Sequence, residues 1–286
     1  MGVKGVIVAA GYGTRFFPVT RVVPKELLPI GDRPAIDWIV GEMADAGIEE
    51  ILVITSRRKK TLEDWFDRDP ELEAEWAKGS PGRLAALRPR PVRVAFVRQA
   101  EMRGTGHALL LARPFLGADP FVVAYPDDLF GAPNCTAELL EAHRMTGHSV
   151  LSTMALPAAE DASRYGILDL GVQERAVSWR PVNALVEKPP PGQEPSREVS
   201  LGRYLFTQDI FPELEAGFRQ HEGGEYYHVP AVNVLAAAGK VVAVRVQATR
   251  YDTGTPEAYL RTVIDLALDD PTMGADLRAW LRTRLT

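Results

Sequence analysis

Hydrophobic positions in the first half of the chain fall into short continuous runs, with helically spaced apolar residues between them. Val6 to Ala10 is an unbroken apolar run that ends at Gly11. This is the pattern of a strand covered on both faces of a parallel sheet. Ala35 to Ala46 carries Ile36, Ile39, Val40 and Met43 on one helical face and stops at Gly47, which predicts a helix with glycine just past its end. Ile51 to Thr55 then predicts a second buried strand, completing a βαβ unit. Thr61 to Leu87 is charged and rich in Glu, Ala and Leu, predicting helices interrupted near Gly79-Ser80-Pro81-Gly82. Val92 to Val97 predicts a third strand, Gly106 to Ala112 a helix, and Phe121 to Tyr125 a fourth strand that runs directly into Pro126-Asp127-Asp128.

The second half changes character. Ser149 to Leu156, Ile167 to Leu170, Ala184 to Val186, Leu201 to Phe206 and Val241 to Gln247 are strand-like segments separated by turns, with Pro189-Pro190-Pro191-Gly192 the clearest loop. The pattern predicts an α/β fold: a Rossmann-like, doubly wound, mostly parallel sheet with helices on both faces and an added mixed β region. Because the strand-like Val241 to Arg245 leads into another polar cluster at Tyr251-Asp252-Thr253-Gly254-Thr255, one interleaved domain over residues 1–286 is expected, with halves at about 1–135 and 136–286.

Composition narrows the function classes. Lys+Arg 33 against Asp+Glu 38, a net charge of -5, with no basic tail, leaves out the electrostatic footprint of a general nucleic-acid binder. A single cysteine, Cys135, cannot form an internal disulfide or a multi-thiolate zinc site, which fits a reducing compartment. Only Lys4 precedes the first apolar run and no cleavage-type pattern follows, so neither a secretory leader nor a membrane span is expected, and a cytoplasmic location is.

The candidate chemistry begins where the first strand ends. In Gly11-Tyr12-Gly13-Thr14-Arg15 the small residues let backbone N–H groups approach phosphate oxygens. The loop alone reads equally well as a structural turn: Phe16 stands where a dinucleotide loop wants its third glycine, and the Gly-Lys-Ser/Thr ending of a P-loop is missing. The continuation Pro24-Lys25-Glu26-Leu27-Leu28-Pro29 holds a lysine between prolines, where it loses less entropy on meeting a phosphate, and Arg15 adds a fork-shaped cation. Asp127-Asp128 follows a buried strand, so one carboxylate can serve a cleft and the other the loop around it; magnesium commonly takes one or two carboxylates plus substrate phosphates. His143 and His148 are five apart and do not share a helical face, His107 reads as a structural residue at a helix start, and Arg57-Arg58-Lys59-Lys60 reads as a solvated loop.

The run from Ala9-Ala10-Gly11 through Arg15 to Pro24-Lys25-Glu26-Leu27-Leu28-Pro29 resembles the signature of the sugar-1-phosphate nucleotidyltransferases, and among them the bacterial UTP:glucose-1-phosphate uridylyltransferases. Further pieces follow in that family's order over nearly the whole chain: Val97-Arg98-Gln99, Gly104-Thr105-Gly106-His107-Ala108, Pro126-Asp127-Asp128-Leu129, Tyr165-Gly166-Ile167, Val186-Glu187-Lys188-Pro189, Gly202-Arg203-Tyr204 and Arg250-Tyr251-Asp252. The resemblance implies nucleotidyl transfer from UTP to glucose 1-phosphate with Mg2+. It assigns Arg15, Lys25 and Lys188 to catalysis, Ala10, Gly11, Gly13, Glu26, Gln99 and Gly104 to the nucleotide, Gly166, Glu187 and Gly202 to the sugar, and Asp127 with Asp252 to the metal. It also implies small-molecule substrates and a homodimer or homotetramer.

The chain departs from that family after Gly223-Gly224-Glu225. In place of a segment ending Leu-Thr-Asp-Ala it reads Tyr226-Tyr227-His228-Val229-Pro230-Ala231-Val232, on what the resemblance makes the sugar side. The Asp252-Thr253-Gly254-Thr255 stretch also occurs in thymidylyltransferase relatives. dTTP, a different hexose phosphate, or a catalytically quiet sugar-nucleotide-binding protein therefore stay open.

Overall fold

The computed structural model describes residues 2–86, 90–173 and 177–284; Leu87, the last residue of the expected helical stretch, lies outside them. In chain order the elements begin β1 (Lys4–Val8), a small ribbon of β2 (Pro29–Ile30) and β3 (Arg33–Pro34), α1 (Ala35–Asp45) and β4 (Glu50–Thr55). Three short helices, α2 (Thr61–Phe66), α3 (Pro70–Trp76) and α4 (Pro81–Ala86), lead to β5 (Arg93–Arg98), α5 (Gly104–Leu116), β6 (Phe121–Ala124) and β7 (Asp128–Phe130). The second half runs α6 (Cys135–Thr146), β8 (Ser149–Ala155), β9 (Gly166–Leu170), β10 (Trp179–Glu187), β11 (Glu198–Phe206), α7 (Ile210–Gln220), α8 (Val229–Ala237), β12 (Val241–Arg245), β13 (Arg250–Asp252), α9 (Pro256–Asp269) and α10 (Gly274–Arg282).

Among the described residues the main sheet has nine strands in the order β5-β4-β1-β6-β11-β8-β12-β10-β9. The first four are parallel, as the apolar runs predict. The second-half strands do not build a separate layer: β11 pairs antiparallel with β6 and carries the same sheet onward. Alternate residues of one strand serve opposite faces. Ile7, Val122 and Ala124 join one apolar cluster with Ile36, Ile39 and Leu139 of α1 and α6, while Val6, Phe121 and Val123 join another with Leu109, Phe211 and Val232 of α5, α7 and α8.

This order positions the site. From β1 the chain steps outward to β4 and β5, then returns to β6 on the other side of β1. Where strand order reverses, the connections after neighbouring strands diverge and leave a crevice at their carboxyl ends. The Ala9–Arg15 loop after β1 and the Tyr125–Asp127 turn after β6 flank that crevice. A second device brings in distant sequence: β13 pairs antiparallel with β7 so that Asp252 lies opposite Asp128.

Candidate active site

A cleft of about 410 Å³ opens at this point, lined by Gly11, Tyr12, Thr14, Lys25, Glu26, Gln99, Gly104, Thr105, Tyr125 and Asp127 among others. A larger cavity of about 630 Å³ lies elsewhere, among Glu138, Thr153, Arg180, Glu198 and Arg245, and holds none of the expected site residues.

The phosphate-side loop is shaped by its glycines. Gly13 adopts φ 67 and lies under Thr20, whose hydroxyl donates to the Gly13 carbonyl at 2.9 Å, so it serves the turn. Gly11 has nothing within 4 Å of where a Cβ would stand, leaving its backbone open to the cleft. Ala10 is buried beside it. Lys25 forms an ion pair with Asp127, and Arg15 reaches Asp127 at 3.8 Å and the Gly254 carbonyl at 3.2 Å. Burial, opposed by Glu26 and assisted by the neighbouring cations Lys59 and Arg15, lowers the Lys25 ammonium to about 8.

The two acidic residues nominated for metal converge. The Thr253 N–H donates to the Asp127 carbonyl at 2.8 Å, tying the β13 turn to the β6 turn. A Cβ built on Gly254 would lie 3.1 Å from Asp252 Oδ1 and 3.5 Å from Asp127 Oδ2, so both carboxylates border one small space. Asp128 has the supporting part: it is buried, accepts the Gly202 N–H at 2.7 Å and pairs with Arg250 at 2.6 Å. No group of three or more metal-capable His, Cys, Asp or Glu side chains occurs among the described residues. Two convergent carboxylates with cations beside them suit a hard cation that takes its other oxygens from substrate phosphate and water.

At the other side of the cleft, the Gln99 side-chain amide donates to the Gly104 carbonyl at 3.0 Å and lies 3.1 Å from His107 Nδ1. A carbonyl only accepts, so the NH2 group must face Gly104, leaving the Gln99 oxygen as its free acceptor. Burial, reinforced by Arg103, lowers the His107 pKa.

The sugar-side residues gather on a neighbouring part of the sheet. Gly166 and Glu187 face each other in the β9–β10 register, and a Cβ on Gly166 would come within 3.0 Å of Glu187 Oε2. Gly202 packs on Asp128 and Tyr125, which joins this group to the cleft. Lys188 holds a left-handed φ of 48, tied by its N–H to the Tyr165 carbonyl at 3.0 Å; its ammonium is exposed, 3.9 Å from Glu187. It does not border the 410 Å³ cleft.

Two residues were not legible beforehand. Lys59, expected in a solvated loop, is buried because its ammonium donates to both Glu26 oxygens at 2.7 and 2.8 Å and to the Ala9 carbonyl at 2.6 Å. Glu26 is correspondingly 1% exposed, its carboxylate spoken for by Lys59. Glu225 lines the cleft, and its place after Gly223-Gly224 was the only signal for it.

The nucleotidyl transferase family model matches residues 4–267. A Staphylococcus epidermidis protein named UTP–glucose-1-phosphate uridylyltransferase is 37% identical over 283 residues, covering 98% of this chain and 97% of its own. A Staphylococcus saprophyticus protein named UTP–glucose-1-phosphate uridylyltransferase 2 is 39% identical over 98% of this chain and 96% of its own. Among solved structures, the UTP-bound UGPase from Acinetobacter baumannii superposes with a TM-score of 0.88 at 30% identity, covering 98% of this chain and 99% of that one. With the family model matching residues 4–267 and full-length relatives above 30% identity, this chain belongs to the nucleotidyl transferase family.

Proposed function

We propose that the chain transfers the uridylyl group of UTP to glucose 1-phosphate, giving UDP-glucose and pyrophosphate, with Mg2+ as cofactor. The observation that carries the reading is one cleft lined by Lys25, Asp127, Gln99 and Gly104, with Arg15 3.8 Å from Asp127 at its edge and Asp252 bordering the same small space as Asp127 beside Gly254. An acceptor at Gln99 matches the imide N3–H that uracil and thymine share and opposes the N3 lone pair of cytosine. This favours UTP or dTTP over CTP, and the relatives' names favour UTP.

An oxygen of the sugar phosphate attacks the α-phosphorus of the triphosphate, and pyrophosphate leaves opposite to it. The nucleophile is already an anion, so no covalent protein intermediate is needed; the chain must align two mutually repelling anions and neutralise them. Lys25 and Arg15 hold the triphosphate, with the Lys25 ammonium passing from Asp127 to phosphate oxygens. Lys188 takes the sugar phosphate, Glu187 accepts hydrogen bonds from sugar hydroxyls, and Gly166 and Gly202 leave room for the hexose. Asp127 and Asp252 hold the metal. When bound, Mg2+ supplies charge neutralisation at the phosphates.

The test is pyrophosphate release with Mg2+, crossing UTP, dTTP, CTP, ATP and GTP with glucose 1-phosphate and its epimers. A dominant signal for UTP with glucose 1-phosphate is expected. Dominance of another pair redirects the substrate assignment, and silence across the grid together with calorimetric binding of UDP-glucose would replace the enzyme with a binding protein. The cytoplasmic location and homo-oligomer belong to the same reading; Leu260, Met273 and Trp280 on α9, α10 and the turn between them are exposed and give an assembly apolar surface to cover, measurable by sedimentation velocity.

A further inference from the structure

The segment that departs from the family begins at Tyr226, and the contacts of this first residue lie on the base side of the cleft. The Tyr226 N–H donates to the Arg103 carbonyl at 2.8 Å, and the Gly106 N–H donates to the Tyr226 carbonyl at 2.9 Å, so both backbone groups of one residue are paired with the loop that opens α5. Three glycines are fitted around it. A Cβ on Gly104 would lie 2.4 Å from the Tyr226 carbonyl oxygen, one on Gly106 2.6 Å from its ring, and one on Gly217 of α7 2.4 Å from its hydroxyl. The ring is 4% exposed, its hydroxyl donates to the Leu214 carbonyl at 3.1 Å, and Phe218 packs against it at 5.6 Å.

Gly104, held flat against the Tyr226 peptide at φ 88, presents the carbonyl that fixes the Gln99 amide. We infer that Tyr226 is a positioning residue for the nucleotide: by clamping Gly104 and Gly106 it sets the orientation of Gln99, so this first residue of the altered segment bears on base binding rather than on hexose choice. The inference deepens the proposed function and rests on the base lying against Gln99.

The test starts from Gly217, a residue on α7 away from the cleft. Gly217→Ala favours the helix intrinsically but drives a methyl into the Tyr226 hydroxyl, and Tyr226→Phe removes that hydroxyl while keeping the ring. Steady-state kinetics of wild type, Gly217→Ala, Tyr226→Phe and the double variant give KM for UTP and glucose 1-phosphate separately, with UTP binding measured by calorimetry alongside. Gly217→Ala is expected to raise KM and Kd for UTP at least fivefold, leave KM for glucose 1-phosphate within twofold, and be restored by adding Tyr226→Phe to within twofold of Tyr226→Phe alone. Equal changes in both KM values, a change only for the sugar phosphate, a lowered Tm with both KM values unchanged, or no restoration in the double variant would each overturn it. Gly106→Ala, which pushes on the same ring from the first turn of α5, supplies the second perturbation should Gly217→Ala fail to fold. Wild-type turnover of UTP in the same assay tests the functional reading by itself, since only the ratios between variants test the role of Tyr226.

Discussion

Replacing Lys59 by methionine tests the buried ion pair behind the phosphate loop. The Lys59 and Glu26 side chains are 6% and 0% exposed, and the ammonium makes two short bonds to the carboxylate and one to the Ala9 carbonyl at the end of β1. Lys59→Met keeps most of the aliphatic volume but leaves Glu26 charged, buried and unpaired. Removing one partner of such a pair costs about 3–5 kcal/mol, because the desolvation cost of the remaining charge is no longer offset. The exposed ion pairs of this chain, such as Lys78 with Glu75, provide the contrast at about 0–1 kcal/mol each. Equilibrium urea unfolding reads the difference as a fall in midpoint at unchanged m. The double variant Lys59→Met/Glu26→Leu replaces the pair by apolar groups of similar size and should recover most of the loss, since no lone charge remains buried. A single-variant cost below about 1 kcal/mol, or a double variant no more stable than Lys59→Met, would refute the reasoning.

Lys25→Ala and Asp127→Ala should each lower turnover roughly a hundredfold or more, about 3 kcal/mol of transition-state stabilisation, with unchanged circular dichroism; near-wild-type turnover in either removes the site assignment. Chelation should abolish turnover and added Mg2+ restore it, read by the same pyrophosphate assay. His228 is buried against Thr105, Tyr125, Tyr204 and Phe206, and burial lowers its pKa from 6.5 to about 4. The unfolded chain therefore takes up a proton that the folded chain refuses as pH falls from about 6.5 to about 4, and stability drops by about 3 kcal/mol across that window relative to His228→Phe; parallel urea titrations of the two proteins check the sign. Arg203 is fully buried and pairs through Nε and Nη2 with Glu42, so Arg203→Met should cost about 3–5 kcal/mol in unfolding experiments while the folded fraction keeps its KM values.

Much of the site was legible because its residues follow strands whose apolar runs announce themselves. The Gly11 loop, the Gln99 position and the Asp127 turn all sit just past β1, β5 and β6, where a parallel sheet places ligands. The basic run Arg57-Arg58-Lys59-Lys60 misled for a physical reason: charge along a sequence says nothing about where one side chain ends, and Glu26 with the Ala9 carbonyl decides that Lys59 goes inward. The same holds for Arg203, which motif order put beside a sugar glycine and which the structure spends on Glu42. The strand-like Ala184 to Val186 proved to be the end of a strand that begins at Trp179, because Pro181 and Asn183 weaken the local signal while pairing with β12 and β9 holds the whole length.

Local pattern by itself determined the alternation of strands and helices in the first half and the glycine turns, since each depends on neighbours a few positions away, whereas in the second half it showed the strands but not the helices α6 to α10 between and after them. Three matters needed the folded chain. The second-half strands continue the first sheet through the β6–β11 pairing, Asp252 joins Asp127 through the β7–β13 ribbon, and Tyr226 closes on Gly104 and Gly106 from 120 or more positions away. Strand partners and buried charge pairs are chosen by complementarity between distant segments, and no periodicity in the chain records that choice.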